Sequence, residues 1–423
     1  MEKERLIIKN FGPIVEADIE IKPFMVFIGE SGSGKSVVLK TLALCRWIHK
    51  KVNFASVVNY IESTDRDRNV KNTYKKFYKE EIKEIKIDTL MNHSGLDDYL
   101  NAEGKSEIEY QINNFRISIT NKDNKIAFNT PKDDFIVLKE NITLEKITFI
   151  SDDRFAIPIL LGGLQAGQIP YYLKETYNNF TSAFAMLSKD SMVKMNTLGF
   201  QIVQEKKKDT TNFFIEKDGY KVHFENASSG MKSIANIEII TKFYIQHYDI
   251  FKSLQNFLIL NASSFGVNFL LDIALNIKKE NEQQKSNYKN KISLFIEEPE
   301  LSLFPNAQKS LIEYLVSLFN QTKNKEVNMA FSTHSPYILS ALNCLLKAHK
   351  ISIKKPDSKQ GIKKILDEKY WLNIDNFNAF KVKDGNVKSI INKKTNLILA
   401  DEIDKVSEEI GEIFDDLLDL EYE

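Results

Sequence analysis

The run Gly29-Glu30-Ser31-Gly32-Ser33-Gly34-Lys35-Ser36 holds a glycine, four residues, a glycine, a lysine and a hydroxyl. Glycines at this spacing let a backbone curl until several N–H groups point at one anion. The lysine then reaches β- and γ-phosphates, and the hydroxyl after it sits on Mg²⁺. The expected nucleotide contacts are Gly29, Ser31, Gly32, Ser33, Gly34, Lys35, Ser36 and Val37. Three further runs carry residue types that complete phosphate chemistry. Carboxylates Glu297, Glu298 and Glu300 follow the apolar run Leu294-Phe295-Ile296. There Glu297 is expected to hold Mg²⁺ beside Ser36, directly or through water, and Glu298 to orient the attacking water. The turn Ser228-Ser229-Gly230 offers hydroxyls and free N–H groups to an anion at a helix start. His334, within Phe331 to Pro336, follows another apolar run and would touch a γ-phosphate. Each of the three has a plainer reading: an acidic turn, a simple N-cap, a structural histidine. Their order behind a phosphate loop is what favours the chemistry.

These residues need elements to position them. Phe24 to Ile28 reads as a buried strand entering the loop, and Val37 to His49 as a helix leaving it, with Val38, Leu39, Leu42, Ala43 and Trp47 as its apolar positions. Ile292 to Ile296 and Val327 to Ser332 read as buried strands, whose C-terminal ends are where ligands bind in α/β folds. Around this frame, Arg5 to Ile8 and Ala17 to Ile21 flank a turn at Asn10-Phe11-Gly12-Pro13. Glu62 to Glu84 reads as a solvated helix. Glu107 to Ile112 and Phe115 to Thr120 suggest a small antiparallel sheet within an insertion. Lys146 to Ile150 is a strand ending in Ser151-Asp152-Asp153-Arg154. Residues 171–205 look helical, and 212–226 form a hairpin at Asp218-Gly219. Met231 to His247 is a helix, Phe257 to Leu275 is strand or helix, and 278–291 is a polar connector. Gln308 to Phe319 is a helix, and a hairpin over Asp384-Gly385 spans 379–391. From Ala400 an acidic amphipathic helix carries Ile403, Val406, Ile410, Ile413, Phe414 and Leu417.

The 423 residues allow two or three domains, and 43% hydrophobic with 27% charged residues is the balance of a globular protein. A net charge of zero advertises no overall basic field for nucleic acid. Two cysteines far apart, Cys45 and Cys344, argue against a disulfide framework and for a reducing compartment. Met1 to Arg5 lacks a signal peptide's apolar core, and no apolar run suggests a membrane span. A cytoplasmic protein without membrane contact is expected.

The order of phosphate loop, Ser-Ser-Gly turn, acidic strand end and post-strand histidine resembles the head of ABC-type ATPases. The runs IIKNFGPI, IEEPELSLFP and FSTHSPYIL look, more narrowly, like AAA ATPases of the OLD (overcoming lysogenization defect) group, which are similar to RecF and SMC heads. The resemblance implies an α/β fold: an ABC-ATPase head with a mixed central sheet flanked by helices, plus an α+β insertion and a helical subdomain. It divides the chain into a core part with the phosphate loop (1–51), the insertion (52–145), the core with arm, signature turn, acidic strand and switch histidine (146–345), and a C-terminal hairpin with acidic helix (346–423). It further implies a homodimer of heads, or a higher oligomer, that sandwiches ATP and Mg²⁺. Ser228, Ser229 and Gly230 of one copy would then act in trans on the nucleotide of the other. Glu298 would be the catalytic glutamate and His334 the switch histidine, with Lys35 on the phosphates. Arg154 stands where many relatives have the Arg of Pro-Ala-Glu-Arg.

The chain departs from the family pattern at several places. Glu297 replaces the usual Asp of ABC heads and Ser31 a frequent Asn. Ser302 and Phe304 replace two histidines common in the group, and Met231 stands where transporters have Gln. Slow or partner-gated hydrolysis is the expectation. OLD-group members often end in a TOPRIM nuclease. Asp401, Glu402 and Asp404 read instead as a solvated helix face, so no nuclease is expected. Stand-alone ATPases of this type resemble subunits of the anti-phage systems Septu and PARIS and those encoded with retrons. These work with a separately encoded effector, often a nuclease. Rival expectations are a RecF- or SMC-like DNA-maintenance head that clamps DNA directly, and a nucleotide-gated assembly scaffold.

Overall fold

The computed structural model describes residues 3–64, 87–100, 106–113, 115–122, 125–129, 142–163, 169–207, 210–250, 252–253, 288–322, 325–399 and 411–418. Strands β1 (Glu4–Phe11) and β2 (Ile14–Ile21) are half-buried hairpin partners, and β3 (Phe24–Ile28) is buried throughout. Then follow helix α1 (Lys35–Thr64) and strands β4 (Glu107–Ile112), β5 (Phe115–Lys122), β6 (Lys125–Asn129) and β7 (Ile142–Ile150). Helix α2 (Tyr171–Leu187) precedes β8 (Met192–Lys194), β9 (Gln201–Lys207), β10 (Thr210–Lys217) and β11 (Tyr220–His223). Helix α3 (Ser229–Lys242), β12 (Tyr288–Glu297), α4 (Pro305–Asn320), β13 (Glu326–Thr333) and α5 (Pro336–Lys354) complete the nucleotide half. Last come α6 (Lys359–Ile365), β14 (Phe377–Lys383), β15 (Asn386–Ser389), β16 (Ile391–Asn392) and β17 (Leu397–Ile398).

Among the described residues one eleven-stranded sheet runs β6-β5-β4-β1-β2-β15-β14-β3-β13-β12-β7. The stretch β14-β3-β13-β12-β7 is parallel and the hairpins beyond it are antiparallel, so the sheet is mixed. The α/β class and helix-flanked mixed sheet are as the sequence implied. Strand β3 shows how the layers form. Phe24, Val26 and Ile28 enter one core with α3, α4 and α5, while Met25 and Phe27 enter the other with α1. A strand covered on both faces reads as an unbroken apolar run.

Several expectations change. The helix expected over 171–205 ends at Leu187, and β8 to β11 form a four-stranded antiparallel sheet. Asp190 and Ser191, both at positive φ (52° and 60°), turn the chain there, and Ile202 then packs from a strand. The arm is therefore α+β rather than a helical subdomain. The helix expected over Met231 to His247 starts two residues earlier, at Ser229, and reaches His247 through a closing π turn over Phe243–His247. The polar connector at 278–291 gives way to β12 from Tyr288 onward. Strands β4 to β6 extend the main sheet from β1 instead of closing a sheet of their own. The hairpin of the 346–423 unit inserts between β3 and β2 in mid-sheet. Expectations on 65–84, 257–275, 278–287 and 400–410, including Asp401, Glu402 and Asp404, lie outside the described residues. So do those on Ile403, Val406 and Ile410.

The insertion is tied to the core by buried charge. Arg46 of α1 donates to both oxygens of Glu4, at 2.8 and 2.9 Å, and to Ser293 Oγ at 3.1 Å. Tyr110 of β4 donates to Glu4 at 2.8 Å, and Lys291 lies 3.8 Å away. Burial pushes the Glu4 carboxyl up, but Arg46, Lys291 and the hydrogen bonds outweigh it and hold it at about 2. Breaking a buried pair strands the surviving charge. Glu4→Gln should therefore cost about 3–5 kcal/mol, read as a lower urea midpoint. Because the folded pKa of Glu4 is depressed, its contribution is complete above pH 4.5 and is lost as pH falls toward 2. The wild type should lose about 3 kcal/mol across that window, and the variant should lack this part of the acid limb.

Candidate nucleotide site

Strands β3, β13 and β12 run parallel, with Ile28 beside Thr333 and Ser332 beside Glu297. The loops that follow them therefore emerge side by side at one sheet edge. The phosphate loop leaves β3 and enters α1 at Lys35, so its N–H groups meet the positive end of the helix dipole. Gly29 is packed under β14: a Cβ there would lie 2.3 Å from the Val382 carbonyl oxygen. Val37 is 3% exposed and its side chain belongs to the core, which leaves only its backbone for a nucleotide.

Lys35, Glu298 and His334 are brought together. The Lys35 ammonium donates to the carbonyls of Gly29 (2.9 Å) and Glu30 (2.8 Å) and lies 3.4 Å from His334 Nδ1. Burial pulls the Lys35 pKa down, against the charges of Glu298 and Glu300. His334 Nε2 is 2.7 Å from Glu298 Oε1. An ammonium can only donate, so it assigns Nδ1 as acceptor and Nε2–H as donor to the carboxylate. Glu298 itself sits at φ +43°, a region that costs a non-glycine residue on the order of 1–3 kcal/mol. Its N–H donates to the Ser332 carbonyl at 3.0 Å.

Arg154 holds the other side of Glu298. It is fully buried, and its guanidinium donates to the carbonyls of Glu297 (2.7 Å), Glu298 (2.5 Å) and Ser151 (3.1 Å) and to Ser233 Oγ (2.8 Å). Asn236 returns a bond to the Arg154 carbonyl at 3.1 Å. Ser233 and Asn236 lie on α3, the helix that begins at the Ser-Ser-Gly turn. Ser228 is its N-cap, accepting from Met231 N at 3.4 Å, and both Ser228 and Ser229 are exposed. Gly230 rests against the acidic loop: a Cβ there would lie 2.7 Å from the Ser302 carbonyl oxygen. Phe304, in the place of a family histidine, is 78% exposed.

Glu297 is different in kind. It is 2% exposed, and burial raises its carboxyl to about 7, opposed by Lys40 at 3.6 Å and reinforced by Asp152. The Ser36 hydroxyl and the Asp152 backbone also favour its charged form, yet neither carboxylate oxygen has a well-formed hydrogen-bond partner. A buried carboxylate with two free oxygens beside a serine hydroxyl fits a divalent cation. Among the described residues no group of three or more His, Cys, Asp or Glu is placed to hold a metal. Mg²⁺ would thus take ligands from Ser36, Glu297 and the nucleotide's phosphates, and would neutralise phosphate charge.

Glu300 carries a role that motif reading passed over. Its Oε1 accepts from Thr333 Oγ1 (2.8 Å) and His334 N (2.5 Å), which fixes the histidine's loop. Its place in Glu298-Pro299-Glu300 was the available signal. Lys40 was signalled by its spacing, one helical turn after Ser36. Nothing in the sequence ties Ser233 to Arg154.

Lys35→Ala should abolish the ATP-induced rise in thermal midpoint, because uncompensated phosphate charge then faces the loop. Arg154→Lys keeps the charge but cannot fork between two carbonyls. It should lower turnover by about ten- to a hundredfold, the worth of a charge-assisted bond, while the ATP Kd from equilibrium binding stays near wild type.

The model of the AAA ATPase domain family matches residues 1–339. Among curated proteins none matches. The SMC head domain from Thermotoga maritima aligns at TM-score 0.38 and 9% identity, over 92% of this chain and 98% of that one. The recombination mediator RecF with ATP aligns at 0.33 and 12%, over 92% and 100%. The ATP-binding cassette MJ0796 with ADP and Pi aligns at 0.28 and 10%, over 90% and 96%. The family match spans most of the chain and contains the phosphate loop, the acidic strand end and His334. The chain belongs to the AAA ATPase domain family and is an ATP-binding ATPase.

Proposed function

We propose that this ATPase is a switch whose heads dimerise around ATP and Mg²⁺ and control a separately encoded effector. Ser228, Ser229 and Gly230 of one copy cap the nucleotide held by Gly29 to Val37 of the other. Lys35 and His334 face the γ-phosphate, Ser36 and Glu297 hold the cation, and Glu298 orients the attacking water. One observation carries the reading: the turn with exposed Ser228 and Ser229 begins the helix whose Ser233 shares Arg154 with the Glu298 carbonyl. A ligand met by that turn has a direct mechanical route to the carboxylate of its own chain. Hydrolysis is slow or partner-gated, because Glu298 is held in a strained backbone and pinned by His334.

The effector reading rests on the acidic-strand and histidine motifs, whose likeness is to ATPase subunits that serve nucleases in anti-phage defence. The insertion at 52–145 and the acidic tail helix are the units through which it would be engaged, in the cytoplasm. Among the described residues no helix is long and apolar enough to cross a membrane. A nucleotide biases only states it binds differently, so the trigger must distinguish the closed dimer from the open heads.

Glu298→Gln tests this. Turnover should fall by about 10²–10⁴-fold, the share of a general base. The variant should accumulate as an ATP-dependent dimer by light scattering, with a nuclease or other effector copurifying. A monomer in saturating ATP would remove the switch. Bound nucleic acid without a protein partner would transfer the role to a direct clamp.

A further inference from the structure

The net charge of zero is the sum of two opposed parts. Residues 400–423 hold eleven carboxylates and one lysine, so that stretch carries −10 and residues 1–399 carry +10. Parts so divided attract each other at low ionic strength.

Part of the positive charge has a defined locus. Lys347, Lys350 and Lys354 stand at i, i+3 and i+7 on α5, one stripe of the helix. Lys393 and Lys394 adjoin it in the β16–β17 turn, where the Lys350 ammonium donates to the Thr395 carbonyl. Among the described residues none of these five lysines is in an ion pair. On the next helix, by contrast, Lys359 and Lys363 both pair with Glu368, at 2.6 and 2.5 Å. Partial desolvation and then the like charges of Lys354 and Lys347 pull the Lys350 ammonium below its usual value.

The negative part starts at the head of this row. Ile398 and Asn343 exchange two hydrogen bonds, at 2.8 and 3.1 Å, and Asn343 is one helical turn before Lys347 on the same stripe. The chain then continues to the helix over 411–418. Glu412, Asp415 and Asp416 share one face of it, while Ile413, Phe414 and Leu417, on the other, are 58–60% exposed. The lysine row spans about 10 Å of helix. The link from Leu399 to Glu412 can extend about 40 Å. A partner tethered so near is present at an effective concentration on the order of millimolar.

We propose that the lysine stripe of α5, with Lys393 and Lys394, is the docking surface for the chain's own acidic tail helix. Glu412, Asp415 and Asp416 then face Lys347, Lys350 and Lys354: Glu412 and Asp415 repeat the i, i+3 spacing of Lys347 and Lys350, and Asp416 adds a third charge on the same face. The tail then covers a cationic stripe that has no ion-pair partner among the described residues. Docking by the acidic face leaves Ile413, Phe414 and Leu417 directed outward.

Zero-length carbodiimide crosslinking of the full chain tests this, on an equal mixture of unlabelled and ¹⁵N-labelled protein, at about 20 mM and about 500 mM salt. Crosslinks should join Glu412, Asp415 or Asp416 to Lys347, Lys350 or Lys354 within chains of one label, and fall several-fold at high salt. Lys347→Glu, Lys350→Glu and Lys354→Glu together should abolish them. Adding Glu412→Lys, Asp415→Lys and Asp416→Lys should restore crosslinks with the charges exchanged. Absence of these crosslinks at low salt, or indifference to the reversal, overturns the proposal. Crosslinks that equally join labelled to unlabelled chains would assign the stripe to a second copy and overturn it as well.

Discussion

Parallel pairing of β3, β13 and β12 sets where the chemistry can be. Once Ile28 lies beside Thr333 and Ser332 beside Glu297, the phosphate loop, His334 and Glu298 have nowhere to go but one edge. The strands supply proximity, and buried polar groups supply orientation. Glu300 holds the backbone of His334, and Arg154 holds the carbonyls of Glu297 and Glu298. Without those contacts the three loops would still be neighbours, but the histidine–carboxylate pair would have no fixed geometry.

Two buried glutamates show how the protein separates structure from function. Glu4 meets Arg46, Lys291 and Tyr110, and its carboxyl is held at about 2. Glu297 meets burial with Lys40 only at a distance, and is raised to about 7. A compensated charge cements β1, α1 and β4 to one another. An uncompensated one marks a place where something positive is meant to come, which is how perturbed groups point to sites.

The sequence made visible whatever is local. The phosphate loop, its strand and helix, the Asp218-Gly219 and Asp384-Gly385 hairpins and the strands before Glu297 and His334 all depend on neighbours within a few residues. What it concealed is long-range pairing. Strand β14 finds β3 some 350 residues away, and β4 finds β1 across about a hundred. Arg154 could be noticed as a type in a place, but its partners come from α3 and β12. The arm's β8 and β9 were masked because short strands of mixed polarity imitate a helix until a turn such as Asp190-Ser191 is given weight.

The position of β14 also bears on how the protein is made. Gly29 is translated some 350 residues before the strand that packs over it, with Val382 against its backbone. A nascent chain can form its phosphate loop but cannot brace it. The loop's full bracing therefore waits until β14 has been made and paired with β3, which couples the nucleotide site to a long-range pairing in the main sheet.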